Sequence, residues 1–225
     1  MTAGRVLDSA TLYPNFVARM PTWRTILASA PRVQRRQRWA RELPASYLKR
    51  DTLDPPELLA PIGYRYTHNR FNGLHCFPAF YLADGQSTAF AEVFGGAAVR
   101  AGQVGPPDYS RLTLPVDACL MKLVDLRDAG LLFALGITED ALTEEKDALR
   151  VDHLGRFVGY ELPQCLGEIG NAIGLTGYLY ASAEARKAGH NGENIVIFTD
   201  NLAATSSWYQ GVDPVTERVE RWPRP

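Results

Sequence analysis

The sequence predicts an α+β domain with a compact mixed sheet core, preceded by an N-terminal helical appendage. Three observations carry that expectation. Strand-like and helix-like segments follow one another after Ile62 without the regular βαβ beat of a doubly wound sheet. The first sixty residues differ in texture, being divided by Pro14, Pro21, Pro31, Pro44, Pro55 and Pro56. The 225 residues are 46% hydrophobic and 22% charged, a globular balance that supports one sizeable core without a disulfide or metal staple. The expected organisation is an appendage over 1–58, a central domain over 59–205, and a tail over 206–225 docked on the core.

Within the appendage, Thr22 can cap a helix running from Trp23 to Ala30, and a second helix is expected from Arg32 to Leu43. Asp54-Pro55-Pro56 reads as a rigid joint. Tyr64 to Thr67 alternates large and polar groups like a strand, Asn69 to Gly73 is loop chemistry, and Phe77 to Leu82 is a buried-strand run. A helix over Thr88–Phe94 should end near Gly95-Gly96. Arg111–Val116 and Ala118–Leu126 read as two strands. Thr138 caps a helix continuing towards Leu149, and Glu161–Ile173 is helical with Pro163 in its first turn. Leu175–Tyr180 and Asn194–Thr199 are strands, and from Ser206 onward a loosely docked polar tail is expected. Trp23, Trp39, Trp208 and Trp222 are expected to pin appendage and tail to the core, and the basic run from Arg32 to Arg41 to form a solvated helix face.

Charge and motif content remove many function classes. Twenty-four Lys and Arg against 25 Asp and Glu leave a net charge of −1, which speaks against a protein that grips nucleic acid through its phosphates. Cys76, Cys119 and Cys165 are too far apart for a thiolate metal site and read as free thiols of the cytoplasm. No secretory h-region and no run of eighteen apolar residues is present, so neither export nor a membrane is expected. GxxxxGK[ST] and GxSxG are absent, Gly167, Gly170 and Gly174 do not form a dinucleotide fingerprint, and the four histidines show no metal-ligand spacing.

What remains is a polar constellation among apolar neighbours. Arg65 lies between Tyr64 and Tyr66, Arg70 follows in a loop with Asn72, Tyr81 closes an apolar strand, and Ser182 follows Gly177-Tyr178-Leu179-Tyr180. Glu92 sits in Ala-Phe-Ala-Glu-Val-Phe, and a carboxylate there either lies on the exposed stripe of its helix or is aimed into a site. Taken singly, Arg65 suits a pairing with a neighbouring carboxylate, and Tyr81 a half-buried strand position with its hydroxyl in solvent.

The order Arg70, Tyr81, Glu92, with eleven residues from Tyr81 to Glu92 and Ser182 far downstream, resembles the RES-domain family, whose name records an arginine, a glutamate and a serine. The stretches that carry the resemblance are Tyr64-Arg65-Tyr66, Asn69-Arg70-Phe71-Asn72, FYLADGQSTAFAEV (Phe80–Val93) and GYLYASAEARKAGHNGENIVIF (Gly177–Phe198). The resemblance implies an ADP-ribosyltransferase-like fold acting on NAD as substrate, with no prosthetic group. It implies a growth-arresting toxin neutralised by an Xre-like helix-turn-helix antitoxin. Carried onto this chain, it makes Arg70, Tyr81 and Glu92 catalytic, and Arg65, Asn72 and Ser182 NAD-binding. A carboxylate facing an oxocarbenium-like ribose suits Glu92, a bidentate guanidinium on the pyrophosphate suits Arg70 with Arg65 as helper, and an aromatic face on nicotinamide suits Tyr81. Ser182 adds a hydroxyl to the dinucleotide or orients Glu92. Phosphate, water or a protein side chain could attack the ribose, so the expectation spans phosphorolysis, hydrolysis and, as alternatives, ADP-ribosylation of a protein target or an inert binding module.

Overall fold

The computed structural model describes residues 9–44, 58–60, 70–72, 77–95, 98, 101–102, 111–143 and 162–224. Its elements run in the order α1 (Ser9–Ser29), β1 (Val33–Pro44), β2 (Ala79–Ala83), α2 (Gln86–Phe94), β3 (Arg111–Asp125), α3 (Ala129–Leu135), α4 (Glu139–Thr143), α5 (Leu162–Ala172), β4 (Gly177–Ala181), α6 (Ala183–Ala188), β5 (Glu193–Phe198), β6 (Trp208–Val212) and β7 (Val219–Trp222). The strand expected over Tyr64–Thr67, the Asp54-Pro55-Pro56 joint and the helix continuation towards Leu149 lie outside the described residues.

The α+β class is as expected, and the sheet is mixed: β3 and β4 run parallel, and the other pairings are antiparallel. The order β1-β2-β5-β4-β3-β6-β7, with β3 returning to β1, rolls five strands into a ring and leaves β6 and β7 as an extension. Strand β3 makes this possible by its length. One edge pairs with β1 from Leu123↔Val33 to Arg111↔Pro44, while the other takes β6 at Val116–Cys119 and β4 at Leu123–Asp125. The ring closes thinly, since β1 meets β2 only at Ala40↔Ala83. This partly barrel-like sheet is compatible with an ADP-ribosyltransferase-like fold.

Five expectations need correction, among them the helix start at Thr22, since α1 begins at Ser9. Residues 33–44 form a strand, not a helix. Trp39 and Leu43 are four apart, which imitates a helical face, but with Val33 they also share the parity of one strand face, and β3 supplies a long partner ladder. The arginines are therefore not one solvated stripe: Arg35 faces Glu193 at 3.8 Å, Arg38 pairs with Asp117 at 2.8 Å, and the Arg41 guanidinium lies 4.2 Å over the Phe80 ring. Strand β3 is continuous where two strands were expected, with Pro115 inside it. The tail beyond Ser206 supplies β6 and β7 to the sheet. Helix α1 also runs through Pro14 and Pro21. An interior proline costs about 3 kcal/mol, and burial offsets it: Trp23 and Leu27 are fully buried, and the Trp23 indole N–H donates to the Leu135 carbonyl at 2.9 Å.

Alternation along the strands sorts two cores. Trp39, Leu43, Phe80, Leu82, Leu114, Val116, Leu179, Ile195, Ile197 and Tyr209 fill the ring. Residues of opposite parity, Ala79, Tyr178, Tyr180, Val196 and Phe198, face Trp23 and Leu27 of α1, Leu132 of α3 and Leu166 of α5. Close passage of α5 over this outer face needs glycine. A Cβ at Gly167 would fall 1.9 Å from the Phe71 carbonyl oxygen, which fixes the loop carrying Arg70 and Asn72 against the helix. Gly167→Ala is accordingly expected to destabilise the fold by about 1–3 kcal/mol, measured as a lowered midpoint of denaturant unfolding. Gly85→Ala, where an added Cβ meets nothing within 4 Å, is the control and should show no steric cost, only the poorer N-cap that alanine gives α2.

Candidate functional site

Strand parity gathers the site. Tyr81 on β2, Tyr180 on β4 and Asn194 on β5 project from the same outer face, and Asn194 is the register partner of both Ala83 and Tyr180. Where β1 and β2 splay apart around Ala40↔Ala83, a cleft of about 440 Å³ opens. Its walls include Arg41 and Glu42 of β1, Arg70, Tyr81, Tyr180 and Asn194, with Glu92 and Val93 of α2 along the rim. Ala89 on the underside of α2 packs against Ala40 and Ala83, and the small size of all three lets the helix sit close over the seam.

Glu92 resolves the choice between exposed stripe and site by being both. The residue is exposed, yet its Oε1 accepts from the Ser182 hydroxyl at 2.6 Å and from Asn194 Nδ2 at 2.7 Å. Among the described residues no donor reaches Oε2. One oxygen is thus anchored by charge-assisted hydrogen bonds while the other has no donor among the described residues, on a side chain that lines the cleft. Ser182 is fully buried and serves twice: its Oγ also accepts from the Ala185 N–H at 2.9 Å, capping α6.

Tyr81 is fixed in a comparable way. Its hydroxyl donates to Asn72 Oδ1 at 2.6 Å and accepts from the Phe71 N–H at 3.0 Å. Burial pushes the phenol well above its ordinary value, opposed by the Phe71 N–H and the nearby Arg70, so the hydroxyl stays neutral and anchors the ring. Asn72 is itself fully buried, with its Nδ2 unpartnered, and reaches the cleft only through Tyr81. Arg70 donates from Nη1 to the Leu142 carbonyl at 2.8 Å, at the end of α4. Tyr180 is pushed up by burial and then by the Glu92 charge, with Arg70 acting the other way, which places all three within one electrostatic neighbourhood.

Of the six residues singled out from sequence, Arg70, Tyr81 and Glu92 line the cleft, and Asn72 and Ser182 stand behind Tyr81 and Glu92. Arg65 lies outside the described residues. Sequence reasoning missed Asn194, Tyr180, Arg41 and Glu42. Asn194 carried a signal, being the single polar side chain opening the otherwise apolar Asn-Ile-Val-Ile-Phe run. Among the described residues no three His, Cys, Asp or Glu side chains gather as a metal set, and no helix is long and apolar enough to cross a membrane.

The Tyr81 hydroxyl gives this geometry a test. Tyr81→Phe leaves the buried Asn72 amide with neither bond, which should cost about 1–3 kcal/mol of stability. The ring remains, so the expected result is a lowered melting temperature with the overall fold retained by circular dichroism.

Comparison with known proteins places the chain in a family. No curated protein matches the chain. The family model described as RES domain matches residues 38–213, from within β1 to just beyond β6, leaving α1 and β7 outside. That family is associated with toxin–antitoxin pairs and with NAD-related activity. With residues 38–213 matched, which is most of its length, the chain belongs to the RES-domain family.

Proposed function

We propose that this protein is a toxin that consumes NAD by breaking the bond between nicotinamide and ribose, with phosphate or water as the acceptor. The observation that carries the reading is the Glu92 carboxylate, anchored through Oε1 by Ser182 and Asn194 and open at Oε2, on the rim of a cleft that also holds Arg70 and Tyr81.

The chemistry suits that arrangement. As the glycosidic bond lengthens, positive charge moves onto the ribose and the bonding pair leaves with the ring nitrogen, so a cationic pyridinium departs as neutral nicotinamide. The leaving group needs no proton, and the protein contributes by stabilising the ribose cation. Glu92 Oε2 faces that charge, and the two hydrogen bonds on Oε1 set its direction before substrate arrives. Ser182, being buried, acts through Glu92 rather than on the dinucleotide. Arg70, held by the Leu142 carbonyl, presents a planar cation to the diphosphate, and Arg41 adds a second within the same cleft. The Tyr81 ring, locked by its hydroxyl, offers a face to nicotinamide. Attack by phosphate gives ADP-ribose 1-phosphate, and attack by water gives ADP-ribose. Such an activity calls for restraint in the cell that makes it, and an antitoxin with an Xre-like helix-turn-helix is the proposed partner.

Two substitutions test the reading by nicotinamide release from NAD, with and without phosphate. Glu92→Gln keeps the shape and removes the charge, and turnover should fall by about 100-fold or more. A folded Glu92→Gln protein working at the wild-type rate would contradict the role given to Glu92. Arg70→Lys keeps the charge and loses the planar fork, so KM for NAD should rise about tenfold. Unchanged KM and kcat would show that Arg70 does not hold the diphosphate.

A further inference from the structure

We infer that Glu220, on the last strand of the sheet, is a positioning residue for the cleft, acting through a strap of chain at 58–60 and the Arg41 guanidinium. The inference rests on the NAD reading above, and goes beyond the family match, which ends before β7 begins.

The strap is held from three strands. The Glu220 carboxylate accepts the Leu58 N–H at 3.3 Å through Oε1 and the Leu59 N–H at 2.8 Å through Oε2. The Tyr209 hydroxyl of β6 donates to the Leu59 carbonyl at 3.2 Å. Arg41 Nη1 of β1 donates to the carbonyls of Leu58 at 3.1 Å and Ala60 at 3.4 Å. Leu58 and Leu59 are themselves buried within the ring core, so their N–H groups need internal acceptors.

These contacts converge on one guanidinium. Arg41 lies 4.2 Å over the Phe80 ring, Phe80 stacks on Tyr209 at 4.3 Å with the rings 6° from parallel, and Tyr209 returns to the strap. One face of Arg41 is set by the aromatic stack and its Nη1 by the strap carbonyls, while the residue lines the cleft that holds Arg70 and Glu92. The carbonyls of Leu58 and Ala60 stay where Arg41 needs them because Glu220 fixes the N–H groups of Leu58 and Leu59 in the same short stretch. Without that carboxylate the stack still holds Arg41, but the acceptors that orient its fork are released, and affinity for an anionic substrate drops.

The experiment is a comparison of Glu220→Ala, Glu220→Gln and Tyr209→Phe with the wild type. It reads KM and kcat for NAD, melting temperature, and calorimetric binding of ADP-ribose, which needs no turnover. For Glu220→Ala, KM and the ADP-ribose Kd should rise about five- to tenfold, the scale of one ordinary hydrogen bond, with kcat within twofold. Glu220→Gln, whose amide oxygen can still accept one N–H, should recover part of the affinity. Tyr209→Phe keeps the stack and loses one strap contact, so it provides a milder folded variant should Glu220→Ala fail to fold. A lowered melting temperature with unchanged KM and Kd in these variants would make Glu220 merely structural and overturn the inference, leaving the reaction intact. A wild type that binds ADP-ribose in a Glu220-dependent way but releases no nicotinamide would overturn the reaction and leave the positioning role standing. A wild type that neither binds ADP-ribose nor cleaves NAD would overturn both.

Discussion

The pairing of β1 with β3 governs the rest of the molecule, because it decides where the ring of strands is tight and where it is loose. Strand β1 spends one edge along nearly the whole of β3, and its other edge touches β2 at Ala40↔Ala83 alone. A sheet rolled this way has a single weak seam, and the cleft opens there. Helix α2 bridges the seam by resting its own Ala89 on Ala40 and Ala83, which brings Glu92 to the rim. Larger side chains at these positions would lift the helix and carry Glu92 away from Ser182 and Asn194.

Much of the site was legible because its defining part is local. Arg70, Tyr81 and Glu92 belong to one loop–strand–helix passage, so their spacing survives as a pattern in the chain. Asn194 and Tyr180 join them only through the β2–β5–β4 ladder, a register that composition and periodicity do not encode. Arg41 was hidden for another reason. It lies in a run of arginines where Trp39 and Leu43, four apart, imitate a helix, and the strand emerges only when β3 offers its backbone. Strands β6 and β7 are short, interrupted by Asp213-Pro214 and rich in polar residues, so their place in the sheet depends on the free edge of β3. The helix α1 departs from proline rules because burial of Trp23 and Leu27 outweighs a local propensity.

The electrostatics of the cleft follow one plan. Each group that would face substrate is held by another group of the chain: Glu92 by Ser182 and Asn194, Tyr81 by Asn72 and Phe71, Arg70 by Leu142, and Arg41 by the strap. Orientation is therefore settled at folding, and no rearrangement of these side chains is needed when charge develops on a bound ligand.

Ser182 shows how such a plan narrows what a lineage can explore. At an ordinary helix start, Ser, Asp and Asn are near-equals. Here the cap oxygen must also donate a proton to a carboxylate oxygen 2.6 Å away. Aspartate would cap α6 as well as serine does, but would set a second negative charge against Glu92. Asparagine could divide the two tasks between its oxygen and nitrogen, but only with more room than a fully buried position provides. Drift at this position is thus closed off by chemistry rather than by helix stability, and relatives that abandon a hydroxyl there would be expected to have given up the carboxylate as well.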